Sequence, residues 1–141
     1  MLVAAPAQSG NARWKEGDGG DVSLLGRSAV ENAAITFVRA MRDRDVATVW
    51  MFSSEEEQDA FGTESEAYAA SAEDFPTLQQ ARPVKFLRSW QEGDTPFVEL
   101  TLVDNSGSEY RAAMGFWLDD AGDWKLVSCD VKAVSDRVAA R

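Results

Sequence analysis

Between Val30 and Met41 apolar residues return every three or four positions, at Val30, Ala34, Phe37, Val38 and Met41. That spacing draws one apolar stripe along a helix. Ser28 and Glu31 form a capping box at its start, each side chain satisfying a backbone N–H that the first turn leaves open. Asp43-Arg44-Asp45 closes the helix and offers an N-cap to a short second one carrying Val46, Val49, Trp50 and Phe52. Ser54 with Glu57 repeats the capping box for a third helix, which Gly62 stops. Thr63 with Glu66 repeats it once more ahead of Phe75-Pro76. The pattern therefore predicts one long helix followed by three short helical pieces.

From Ala81 the period changes to two. Val84 to Trp90 reads as a strand turned at Glu92-Gly93-Asp94, and Phe97 to Val103 as a second turned at Asp104-Asn105-Ser106-Gly107. Tyr110 to Leu118 is the third, and Asp119 to Asp123 turns it into the fourth, Trp124 to about Val131. Such short connections imply an antiparallel meander. On the third strand Tyr110, Ala112, Met114, Phe116 and Leu118 share the face expected to meet the helices. Its other face carries Arg111, Ala113, Gly115 and Trp117, less polar than a fully wetted face. The fold class that follows is α+β, with helices packed on a four-stranded antiparallel sheet.

Residues 1–27 are expected to form a flexible tail, 28–134 a single domain and 135–141 a C-terminal tail. Gly17-Asp18-Gly19-Gly20-Asp21 is too rich in Gly and Asp for a regular element, and it lacks the ligand spacing of a calcium loop. Leu2 to Gln8 is similar to the end of a secretory signal peptide, with Ala5-Pro6-Ala7 as a small-x-small cleavage site. The expected location is periplasmic or secreted if that segment is a truncated signal peptide, and cytoplasmic otherwise.

Charge narrows the partners. The chain has 24 Asp and Glu against 14 Lys and Arg, a net charge of −10, which repels phosphate backbones and argues against nucleic-acid binding. With 45% hydrophobic residues it can still fill a core, and no run approaches the ~20 apolar residues of a transmembrane helix. There is no histidine and one cysteine, Cys129. Histidine-based triads and proton shuttles are thereby excluded, as are an internal disulfide and a cysteine–histidine zinc site. No cofactor is predicted.

Several features carry a resemblance: Phe61-Gly62 ending a helix, Phe75-Pro76, Arg82 to Leu87 entering the first strand, the Asp104 to Gly107 turn, and Gly122-Asp123-Trp124 leading to Cys129. Over about residues 30–131 the chain resembles the bacterial family known as domain of unknown function 4864. It departs from that family's pattern at Ser128, where Gly is expected, and at Ser54-Glu55, where Ser-Pro is expected. Helices followed by an antiparallel sheet also resemble the nuclear transport factor 2-like (cystatin-like) fold. The fold resemblance implies a curved sheet wrapped around the long helix and a cone-shaped pocket, in which the isomerases and hydrolases of that fold place an Asp. The family resemblance implies a frequent signal peptide and no catalytic residue.

The expected function is a non-enzymatic binding or protein-interaction module with an apolar cone-shaped pocket. Trp50, Tyr68, Trp90, Tyr110 and Phe116 are the candidate pocket residues, with Phe75, Phe97, Trp117 and Trp124 as further aromatic candidates. The run from Ser53 to Phe75 holds eight carboxylates and no Lys or Arg; it suits helix first turns or a basic protein partner. The small apolar ligand and the basic protein are the expected partners, with a homodimer through the sheet's outer face. The alternative is a small isomerase or hydrolase working through Glu99 or Asp130 with Tyr68, Arg88, Tyr110 or Arg111. Cys129 reads as a buried structural thiol.

Overall fold

Ser28 caps the first helix as its spacing predicts. In the computed structural model, which describes residues 26–134, its hydroxyl accepts from the Glu31 N–H at 3.2 Å while its own N–H donates to Glu31 Oε1 at 3.1 Å. Such a cap stabilises by ~0.5–2 kcal/mol. All but the last two residues of the expected N-terminal tail, and all of 135–141, lie outside the described residues. The helices are α1 (Ala29–Asp43), α2 (Val46–Met51), α3 (Glu55–Phe61) and α4 (Glu64–Asp74), followed by a 3-10 turn, Pro76–Gln79. Ser54 and Glu57 close the second capping box at 2.9 and 3.1 Å. Thr63 forms only half of the third: its hydroxyl accepts from the Glu66 N–H at 3.1 Å, without the return bond.

The stop of α1 is more unusual than its sequence suggests. Asp45 N–H donates to the Ala40 carbonyl at 2.9 Å and Arg44 N–H to that of Met41 at 3.4 Å, the paired bonds of a Schellman ending. Arg44 occupies the left-handed position at φ 58°, where a Cβ costs roughly 1–2 kcal/mol. Arg44→Gly is therefore expected to stabilise the protein by up to ~1 kcal/mol, since glycine also loses more entropy on folding. An unchanged or lower urea midpoint would show that the arginine side chain contributes more than its backbone costs.

Four strands follow, β1 (Ala81–Glu92), β2 (Thr95–Asp104), β3 (Glu109–Leu118) and β4 (Trp124–Ala133). They pair antiparallel in the order β1-β2-β3-β4, so β1 and β4 are the edges of a curved, open sheet. The curvature has local causes. Val84 and Leu87 are unpaired extra residues on β1, and the β4 ladder shifts opposite Gly115 and Phe116; each such bulge bends its strand and adds twist. The turns on either side of β3 share one design. Asp104 Oδ1 accepts from the N–H groups of Ser106 and Ser108, as Asp119 Oδ1 does from Ala121 and Asp123. Gly107 and Gly122 then take φ 90° and 89°, a region that other residues avoid.

One side of the sheet meets the helices. Val98, Leu100, Leu102, Ala112, Met114 and Phe116 are fully buried there against Phe37, Val38 and Met41 of α1. Of the five β3 residues expected on this face, Ala112, Met114 and Phe116 are sealed, Tyr110 is half-buried and Leu118 is exposed. Leu118 ends β3 next to the turn that begins at Asp119, and its side chain is left to solvent. The other side carries Lys85, Arg88, Trp90, Phe97, Glu99, Arg111, Ala113, Gly115, Trp117, Asp130 and Lys132, as the cross-strand register requires.

Candidate functional site

Two surfaces concentrate chemistry. The first is the outer face of the sheet. Trp90 stacks on Phe97 with ring centroids 5.3 Å apart and planes 15° from parallel. Phe97 pairs with Gly115, and a Cβ on that glycine would lie 2.8 Å from the phenyl ring. The Arg88 guanidinium lies 4.3 Å above the Trp90 indole and donates from Nε to Glu99 Oε1 at 2.8 Å. With Arg88 64% exposed, that ion pair contributes only ~0–1 kcal/mol. Its effect is positional, holding the cation flat on the ring. Trp90 Nε1–H donates to Glu92 at 2.9 Å. Beside this stack a shallow hollow of about 560 Å³ lies between Glu99, Arg111, Asp130 and Lys132, over the small Ala113.

The second surface is a cleft between α3, α4 and the start of β4. Its floor is built from Phe37, Val49 and Phe52, and its rim from Glu57, Phe61, Asp74, Phe75 and Ser128. β4 is hung on the helix layer there, because Leu126 N–H donates to the Phe52 carbonyl at 2.9 Å. The volume of this open cleft is about 160 Å³. Sites for drug-sized ligands run to ~300–1,000 Å³, so this cleft has the size of a side chain.

The family described as domain of unknown function (DUF4864) matches residues 27–139. The chain belongs to the DUF4864 family. No curated protein and no solved structure matches it. The arrangement of this DUF4864 domain, helices on one side of a curved sheet, is compatible with the nuclear transport factor 2-like fold.

The five candidate pocket residues of the DUF4864 domain lie apart. Trp50 is half-buried on α2, where its carbonyl accepts from the Gln58 side chain at 2.9 Å. Tyr68 is buried on α4 and donates its hydroxyl to the Met41 carbonyl at 2.6 Å. Phe116 is sealed in the core edge-on to Phe52. Tyr110 donates to Asp104 Oδ2 at 3.0 Å. That bond raises the phenol above its usual range, while the Ser106 hydroxyl leads the donors that hold Asp104 below its own. Trp90 alone of the five stands on the outer face. Of the other aromatics, Phe75 lines the cleft, Phe97 stacks on Trp90, Trp117 borders a hollow with Glu55, Gln58 and Lys125, and Trp124 borders another with Met51.

Glu99 and Arg111, candidates for acid–base work, both point to the outer side, and Asp130 is 61% exposed with Lys132 3.4 Å away. Among the described residues no group of three His, Cys, Asp or Glu side chains could hold a metal ion, and no helix is long and apolar enough to cross a membrane. Sequence reasoning placed Gly115 on the outer face and named Phe75, but missed the ring contact at the glycine and the cleft that joins Phe75 to Glu57, Asp74 and Ser128. A lone glycine inside a strand is a signal for close approach, and it marked the site of the ring contact.

Cys129 lines the cleft from β4. Burial, reinforced by the neighbouring Asp130 charge, pushes its thiol from 9.0 up to about 12. The thiolate is the reactive form. Alkylation by iodoacetamide at pH 8 is expected to run about a thousandfold slower in the native protein than in urea. Comparable rates in the two states would show that the thiol is open to solvent.

Proposed function

We propose that this DUF4864 domain is a non-enzymatic protein-interaction module that works as a homodimer joined through the outer faces of its sheets. The supporting observation is the segregation of charge. Arg82, Lys85, Arg88, Arg111 and Lys132 stand on the outer face among Glu92, Glu99, Glu109 and Asp130, a slight excess of cations in a chain whose net charge is −10. Helix α4 lies on the other side of the sheet, and α3 reaches the sheet's end, where its Glu55 borders a hollow with Trp117 and Lys125. Packing two copies sheet to sheet keeps the α4 carboxylates of each copy behind its own sheet, where salt screens them from those of the other. It also brings carboxylates of one copy to the cations of the other. The apolar content is Trp117, 54% exposed, with the Trp90–Phe97 stack. Aromatic and arginine side chains are the usual anchors of such contacts.

Light scattering decides the matter. At ~100 μM, above the dissociation constant of an ordinary transient complex, the expected mass is that of two chains. Trp117→Ser combined with Arg111→Glu should return it to one. A single-chain mass for the unmodified protein would rule the dimer out.

A further inference from the structure

The two edges of the sheet are built differently. β1 carries Pro83 and Lys85 and two bulges, at Val84 and Leu87, devices that keep a foreign strand from pairing. β4 carries its single shift near its start, and from Ser128 to Ala133 it runs regular and free of proline. Val134 N–H donates to the Glu109 carbonyl at 3.0 Å. With the register Lys132–Arg111, Asp130–Ala113 and Ser128–Gly115, the even-numbered residues of β4 therefore exchange both ladder bonds with β3. Cys129, Val131 and Ala133 turn their N–H and C=O groups away from the sheet. Among the described residues nothing bonds to them.

The cleft opens beside this row. Phe52, Phe75, Leu126 and Cys129 line it, and Glu57 and Asp74 stand at its mouth. We propose that the β4 edge accepts an extended segment of a partner protein as a fifth strand, one in which an aliphatic or aromatic residue stands two positions from a Lys or Arg. Its main chain pairs with Cys129, Val131 and Ala133. One apolar side chain fills the 160 Å³ cleft, and its cations meet Glu57, Asp74 and the other carboxylates of α3 and α4. Successive side chains of a strand point to opposite faces, so residues two apart share the helix side: one apolar residue enters the cleft while a Lys or Arg two positions away reaches its carboxylates, and the residues between face the other way. A second copy is disfavoured at this edge, because edge-to-edge pairing would bring two acidic rims together. The proposal is independent of the dimer, which uses the outer face and leaves the β4 edge open.

The test uses the full chain and two displayed pools of ten-residue peptides. One carries Val, Ile, Leu or Phe and Lys or Arg by turns at every second position, with Ser or Thr between; the other has Asp or Glu in the basic positions. The basic pool should be enriched at least tenfold over the acidic one. A peptide recovered from it should slow amide exchange at Cys129, Val131 and Ala133, and Glu57→Lys with Asp74→Lys should weaken its binding at least tenfold. Val131→Pro, which removes one outward N–H, should weaken it further. Equal enrichment of the pools, or binding that leaves those three amides unprotected, would overturn the proposal. So would protection already present without peptide. Were that protection concentration-dependent, the edge would belong to a second copy; were it not, to a terminal segment of this chain.

Discussion

Phe37→Ala is expected to destabilise the domain by about 3–5 kcal/mol, the usual cost of truncating a sealed aromatic. Phe37 is 1% exposed, and it sits where three elements meet. Its ring stands edge-on to Phe52 with centroids 5.5 Å apart, and Phe52 stands edge-on to Phe116 at 6.0 Å. This row of rings ties α1 to the end of α2 and then to β3. Each such contact adds ~0.5–1.5 kcal/mol beyond the area it buries, so the loss lies above that of an isolated methylene deletion. Domains of this size have only ~5–15 kcal/mol in total. In urea the midpoint should fall by roughly 2 M if the slope lies mid-range at ~1–3 kcal/mol/M. The slope itself should hold, because the fold is weakened and not replaced. A cost below ~1.5 kcal/mol would mean that the neighbours close over the gap and that the row is not a structural tie.

The fold was legible wherever one local signal decided the outcome. Ser28 with Glu31, and Ser54 with Glu57, fix helix starts by bonds that span three residues. The Asp104 and Asp119 turns are likewise closed by their own side chains and glycines. Face assignment on β3 held along the strand; the burial expected of that face held where helices cover it and not at Leu118, which is 48% exposed because cover depends on how far the helix layer extends. The site was much less legible. Period-two alternation places Trp90 and Phe116 on definite faces, but whether a face meets a helix, a cavity or water is decided by elements distant in sequence. That is why five aromatic residues expected to share one pocket are spread over both sides of the sheet. The cleft joins Glu57 and Asp74 to Cys129, and no spacing rule connects those positions. Charge could have been read further: the carboxylate run of α3 and α4 has no cation within it, whereas the strands interleave cations and carboxylates, so the acidic helices and the mixed outer face are different kinds of surface.

Gly115→Val is expected to lower stability by ~1–3 kcal/mol, the cost of forcing a side chain into occupied space. The sign is what makes this informative. Gly115 does not take a positive φ, so no backbone strain opposes the change. Valine suits a strand, and replacing a strand glycine normally gains about 0.5–1 kcal/mol. What opposes it is Phe97, whose ring atoms lie 2.8 Å from where the Cβ would be. The ring must swing away, and its stack with Trp90 is then lost. In a Phe97→Ala background the obstacle is gone, and the same substitution should stabilise. A double-mutant cycle in urea would therefore give a coupling of about 2 kcal/mol or more between positions 97 and 115, within the range for residues in contact. The outer face should be remodelled along with it, so Gly115→Val should also return the dimer mass to that of one chain. If the valine stabilises in both backgrounds, the phenyl ring moves aside freely, and the Trp90–Phe97 stack is not the rigid platform on which the interaction face depends.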